Sequence, residues 1–114
     1  MITIKRVYEP YEASDGYRIL VDRLWPRGLT KEKAHVDEWL KEIAPSDALR
    51  KWFHHEESNF GEFKKRYEKE LKDHQDLADH ILEKAKQGRV TLLYGAKDET
   101  NNQARVLADW LRKK

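Results

Sequence analysis

Two continuous apolar runs constrain the fold more than any other feature of this sequence. They are "YRILVD" (17–22) and "VTLLYG" (90–95), and Gly16 and Gly88 lie just before them. Runs of this kind predict strands that are buried on both faces. The long segment between them has helical periodicity, so the favoured arrangement is a parallel pair joined by a right-handed crossover.

The segment from Ala34 to Gln87 predicts several helices. Its first part, "HVDEWLKEI" (35–43), has apolar residues three and four positions apart, which predicts a helix. We expect this helix to end at Pro45 and the next to begin at the N-cap Ser46. A third helix should begin at Asn59, with a break near "KDHQD" (72–76), and a fourth should end at Gly88. The last helix should begin at Thr100.

A third strand is predicted at the start of the chain. "ITIKRVY" (2–8) alternates apolar and polar residues, as a half-exposed strand does. The connection "EPYEASDG" (9–16) is too short for a crossover helix, so it predicts a hairpin-like, antiparallel step to the next strand. The fold class expected is therefore α/β: a single domain over residues 1–114, with a small mixed sheet of about three or more strands flanked by helices.

Composition excludes several function classes. The chain has 23 basic and 21 acidic residues, no cysteine and no apolar run long enough to span a bilayer. The formal net charge of +2 makes nucleic acid an unlikely partner, and the missing thiols exclude disulfides and a cysteine nucleophile. We expect a soluble cytoplasmic protein that does not bind membranes. The sequence carries no signal for a particular oligomeric state.

No metal or cofactor is expected. The segment "FHHEES" contains His54, His55, Glu56 and Glu57, but adjacent positions on a helix point about 100° apart, which favours a solvated helix end over a metal site. The chain contains no glycine-rich phosphate loop and no dinucleotide-binding motif.

Two loops should meet at the carboxyl ends of the parallel strands, where open α/β sheets bind ligands. They are "RLWPRGLTK" (23–31) and "AKDETNN" (96–102), which are rich in groups that bind phosphate or carboxylate. Pro26 and Gly28 would shape the first turn. The predicted ligand-binding residues are Arg23, Trp25, Arg27, Gly28, Tyr94, Lys97, Asn101 and Asn102, with Asp22 and Asp98 as the candidate catalytic acid or base.

Other readings of the same residues stay open. Arg23 and Arg27 could be structural clamps on carboxylates or helix carbonyls. Basic loops could also serve a nucleic-acid or protein interaction module without catalysis, for which binding to long polyanions would depend steeply on salt. A purely structural interaction domain would instead bury the strand edge in a dimer.

Three stretches also carry a family resemblance: "VDRLWPRGLTKEKAHVDEWLKEIAPSDALRKWF", "FKKRYEKEL" and "GRVTLLYGAKDETNNQA". They resemble the YeaO-like branch of the domain-of-unknown-function family 488, over nearly the whole chain. The resemblance implies a compact α/β domain, mostly bacterial, and no particular reaction. Asn101 stands where the family often has histidine, which weakens a mechanism with a histidine base. The matching positions are Asp22, Arg23, Trp25, Pro26, Arg27, Gly28, Pro45, Ser46, Trp52, Phe53, Arg66, Tyr67, Tyr94, Lys97, Asp98 and Asn102.

Overall fold

A computed structural model describes residues 1–54 and 56–114; His55, part of the expected solvated helix end, lies outside them. The described residues form a parallel sheet with helices around it. The strands are β1 (Ile2–Arg6), β2 (Tyr17–Leu20), β3 (Glu38–Trp39) and β4 (Val90–Tyr94). The helices are α1 (Lys31–Ala34), α2 (Asp47–Phe53), α3 (Phe60–Leu71), α4 (Gln75–Gln87) and α5 (Gln103–Arg112).

The predicted α/β class and the parallel strand–helices–strand unit are confirmed. The strand order is β1-β4-β2-β3, and β2 pairs with β4 in parallel, with Ile19 opposite Leu92. All five residues of β4 are buried, as its unbroken apolar run predicts. The carboxyl ends of β2 and β4 therefore lie side by side.

The predicted antiparallel step from β1 to β2 is wrong. β4 lies between the two strands and pairs in parallel with both. A hairpin would have pushed β4, which is apolar on both faces, towards an edge of the sheet. The Asp15-Gly16 pair instead lets the chain enter β2 close to the Arg89 backbone. Gly16 has φ 71°, and a Cβ there would lie 2.2 Å from the Arg89 carbonyl oxygen, so this position requires glycine.

The helix predicted at residues 35–43 is also wrong. This segment contains β3 and a 3₁₀ turn at Lys41–Ile43. The Asp37 and Leu40 N–H groups donate to the carbonyls of Arg18 and Leu20, at 2.9 and 3.0 Å. The open edge of β2 thus takes a partner strand, and this long-range pairing overrides the local helical periodicity.

The later helices follow the sequence signals more closely. Ser46 caps α2 by accepting from Leu49 N–H at 3.2 Å, as predicted. The break near 72–76 is confirmed as a 3₁₀ turn, Lys72–His74, between α3 and α4. The predicted cap of α5 is wrong: Asn102, not Thr100, accepts from Arg105 N–H at 3.0 Å, so this helix begins later than expected.

The core lies between the sheet and α3, α4 and α5. Tyr67 is fully buried there, and its hydroxyl donates to the Ile43 carbonyl at 2.7 Å, which joins α3 to the segment before α2. In the described part of the chain, no helix is both long and apolar enough to cross a membrane.

Candidate functional site

A cavity of about 570 Å³ opens at the carboxyl ends of β2 and β4. This volume lies within the range of small-molecule pockets, roughly 300–1,000 Å³. Its polar lining residues are Asp22, Arg23, Arg27, Arg50 and Gln103, and the other described lining residues are Leu24, Pro45, Phe53, Phe63, Gly95 and Ala96. Three arginines and one aspartate leave this described lining with a charge of +2 when Asp22 is ionised.

Asp22 is the acidic residue of the cavity. It follows β2 and joins two neighbouring elements, because Oδ2 accepts from Gly95 N–H at 2.8 Å and Oδ1 accepts from Gln103 Nε2 at the start of α5. Burial raises the pKa of this carboxyl to about 6, although both hydrogen bonds act to lower it. Asp22 therefore changes its charge close to neutral pH.

Arg23 is held by main-chain oxygens. Its Nε donates to the Pro45 carbonyl at 3.2 Å and its Nη2 to the Ala44 carbonyl at 3.0 Å. These bonds fix the guanidinium without cancelling its charge. Among residues 1–54 and 56–114, neither Arg23 nor Arg27 forms an ion pair.

Arg27 and Arg50 reach the cavity from different elements. Arg27 is exposed on the loop after β2, and its own carbonyl accepts from the Tyr8 hydroxyl at 2.9 Å, which anchors the turn. Arg50 is on α2 and contacts Asp47 at 3.3 Å. Its Nε is buried and has no hydrogen-bond partner among the described residues. Buried polar groups of this kind usually have a hydrogen-bond partner.

Six of the eight predicted ligand-binding residues are absent from the described cavity lining, and four of them are Trp25, Gly28, Tyr94 and Lys97. Trp25 donates from Nε1 to the Leu29 carbonyl at 2.7 Å and packs edge-on against Trp39, with ring centroids 5.5 Å apart. Gly28 has the positive φ (79°) that its turn requires. Tyr94 is buried in the core, and Lys97 is exposed outside the described cavity lining. Trp25 and Gly28 thus shape the turn that carries Arg27.

The other predicted residues organise the loop before α5. Asp98 Oδ1 accepts from the N–H groups of Thr100 and Asn101, both at 2.9 Å, and Oδ2 accepts from Asn101 Nδ2 at 3.1 Å. Asn102 is fully buried, and its Nδ2 donates to the Asp98 carbonyl at 2.9 Å. These bonds favour structural roles for the three side chains.

Sequence reasoning missed two polar lining residues, Arg50 and Gln103. The Ser46 cap fixes where α2 begins and so places Arg50 in its first turns, but no sequence signal showed that α2 packs beside the loop after β2. The Gln103 amide binds Asp22, a contact that no sequence signal indicated. In the described part of the chain, no group of three or more His, Cys, Asp or Glu side chains is arranged to hold a metal.

The fold and the cavity define a small parallel α/β domain with a basic pocket at its strand carboxyl edge. Residues 1–114 match DUF488-N3i, the inactive DUF488-N3 subclade, and the chain belongs to this family, in its YeaO-like branch.

Three relatives show how far the similarity extends. The chain is 54% identical to "Uncharacterized protein YeaO" of Escherichia coli K12, over 97% of this chain and 96% of that protein. It is 39% identical to "Uncharacterized protein Rv3073c" of Mycobacterium tuberculosis H37Rv and to "Uncharacterized protein Mb3100c" of Mycobacterium bovis, over 96% of this chain and 92% of each. No solved structure matches the chain.

Proposed function

We propose that this chain is a non-catalytic binding domain for a small anionic molecule, which Arg23, Arg27 and Arg50 hold in the cavity. The observation that carries the proposal is that three arginines line one cavity and that two of them, Arg23 and Arg27, form no ion pair among the described residues. Unpaired arginines are costly to bring together unless an anion binds between them.

The surroundings of the arginines support the same function. α5 begins at Gln103, a lining residue, so the positive end of its dipole lies beside the cavity. Phe53, Phe63 and Pro45 supply apolar walls, which suit a ligand with a carbon skeleton beside its charge. Lys97 is not among the described residues that line the cavity, so we do not expect it to bind the anion.

Binding without catalysis is favoured by two facts. The chain belongs to a subclade described as inactive. Asp98, the second candidate acid or base, has its carboxylate engaged by Thr100 and Asn101. Asp22 is therefore the remaining candidate, and we expect it to recognise the ligand rather than to react with it.

The test compares Arg27→Gln with Arg66→Gln by isothermal titration calorimetry, using phosphate, sulfate and mononucleotides. Arg27 lines the cavity, whereas Arg66 is an exposed arginine paired with Glu62 at 3.1 Å on α3. One charge-assisted hydrogen bond contributes roughly 1.5–3 kcal/mol, so Arg27→Gln should weaken binding roughly tenfold to a hundredfold. Arg66→Gln should bind as the wild type does.

Two results would contradict this function. Equal affinities of both variants for every anion would remove Arg27 from the binding set. Binding only to long polyanions, with a steep salt dependence, would support a nucleic-acid interaction module instead.

A further inference from the structure

We propose that Asp22 makes the cavity select anions that carry their own hydrogen-bond donor, with hydrogen phosphate as the simplest member, over equally charged anions that carry none, such as sulfate. This inference rests on the proposed function and concerns the same cavity. It assigns Asp22 the part of a specificity-determining residue.

The argument starts from the hydrogen bonds of Asp22. A carboxylate has two oxygens with about four acceptor sites and no donor. Gly95 N–H uses one site on Oδ2, and Gln103 Nε2 uses one on Oδ1. The capacity that remains is for accepting only, and Asp22 is part of the wall that also carries the three arginines.

An anion drawn in by the arginines therefore meets a negative acceptor. If its oxygen carries no hydrogen, two acceptors face each other and repel, unless a proton is taken up from water. Hydrogen phosphate brings a P–O–H group that can donate to Asp22 while its other oxygens accept from the arginines. Sulfate has the charge and the tetrahedral shape of hydrogen phosphate (HPO4²⁻) but no hydrogen at neutral pH, so these two ions differ chiefly in the donor.

The charges around Asp22 do not remove its preference for anions that carry a hydrogen-bond donor. Arg23 and Arg27 lie on the loop that follows it, Arg50 lies on α2, and the charge of Asp22 also acts on Tyr67 of α3. Burial still holds the pKa of Asp22 at about 6, so the carboxyl is mainly ionised at pH 7.5 and can take up one proton below that pH.

The first experiment measures both anions by calorimetry at pH 7.5 in chloride buffer. The wild type should bind phosphate at least about tenfold more tightly than sulfate, the ratio expected from one charge-assisted hydrogen bond. Asp22→Asn should bring the ratio close to one, because its side-chain amide can donate to sulfate. Asp109→Asn, which removes the same charge towards the other end of α5, should keep the wild-type ratio.

A second measurement needs only the wild type. Sulfate binding requires a proton on Asp22, so its affinity should fall towards tenfold per pH unit above about pH 6, and binding should take up a proton in buffers of different ionisation enthalpy.

The outcomes separate the two proposals. If neither anion nor any nucleotide binds the wild type, the proposed function fails and this inference fails with it. If phosphate and sulfate bind equally, without proton uptake, selectivity is overturned while anion binding stands. A phosphate preference that survives in a folded Asp22→Asn would show that another residue sets the specificity.

Discussion

Two groups of charged side chains in this protein differ in whether their members pair with one another. In the first, which we call the paired cluster, Asp15 accepts from Lys5 at 3.0 Å and from the buried Arg18. The second is the cavity, where, among residues 1–54 and 56–114, Asp22 accepts only from neutral donors and no arginine binds it. The charges of the paired cluster bind one another, whereas Arg23 and Arg27 in the cavity form no ion pair among the described residues.

The pKa of Asp15 is lowered, whereas the pKa of Asp22 is raised. Burial alone would raise the pKa of Asp15, but hydrogen bonds from Lys5, the Glu12 N–H and Arg18 hold it below its usual value. Burial does raise the pKa of Asp22, because its two hydrogen bonds are too weak to offset it. A partly buried aspartate with a raised pKa beside unpaired arginines is therefore a better functional signal than burial by itself.

The largest expected effect comes from breaking the paired cluster. Asp15→Asn leaves Arg18, which is 1% exposed, without a counter-charge, and should lower the free energy of unfolding by about 3–5 kcal/mol. Urea denaturation at pH 7 measures this loss. The control Glu62→Gln breaks an exposed pair and should change the free energy by less than about 1 kcal/mol. Equal losses would show that the cluster contributes no more than a surface pair.

The second effect has the opposite sign and depends on pH. The folded-state pKa of Asp22 is raised, so its contribution to stability is full below about pH 4 and is lost as pH rises through 6. Asp22→Asn does not titrate, so its stability relative to the wild type should increase by up to about 3 kcal/mol from pH 4 to pH 7. Asp15→Asn should show the reverse trend only in a urea series extended below about pH 4, because the pKa of Asp15 is lowered from 3.8 and its contribution is lost as pH falls through that lowered pKa.

A smaller effect is expected where the cavity aspartate meets the backbone. A Cβ on Gly95 would lie 2.9 Å from Asp22 Oδ2, so Gly95→Ala should displace the carboxylate and cost about 1–2 kcal/mol in urea denaturation. Gly61→Ala in α3, where a Cβ would meet no described atom within 4 Å, should instead stabilise the protein by about 0.5–1 kcal/mol. A neutral Gly95→Ala would mean that Asp22 is less tightly placed than its hydrogen bonds indicate.

The smallest effect tests the loop beside the cavity. Asn102→Ala removes the cap of α5 and should cost about 1 kcal/mol, measured by thermal denaturation. Thr100→Ala should cost almost nothing, because the Thr100 side chain is exposed and does not cap the helix. A larger loss of stability for Thr100→Ala than for Asn102→Ala would support Thr100 as the cap, as the sequence predicted.

Local patterns predicted the parts of the fold that depend on local physics. The apolar runs of β2 and β4 and the Ser46 cap follow from hydrophobicity and side-chain hydrogen bonding, and the structure confirms them. The strand β1 was predicted, but the antiparallel step after it and the helix at residues 35–43 were wrong, because the positions of β1 and β3 in the sheet depend on distant partners. The edge of β2 binds residues 37–40, and β4 enters the sheet beside β1 from the far end of the chain.

The same distinction holds for the cavity. Asp22, Arg23 and Arg27 were found because they directly follow a predicted strand, whereas Arg50 belongs to a helix whose packing the sequence does not encode locally. Lys97 and Asn102 were predicted to bind a ligand because their loop lies at the carboxyl edge of the sheet. Sequence shows which loop is near a strand end, but side-chain direction depends on bonds such as Asn102 to Asp98.

The two-residue strand β3 has a consequence for how copies of this chain meet. An exposed strand edge is a template on which another molecule can extend a sheet and begin to aggregate. At the β3 side, that template is interrupted after Trp39 by the 3₁₀ turn at Lys41–Ile43. The brevity of this strand thus gives the domain a built-in protection against intermolecular sheet growth at one of its two borders.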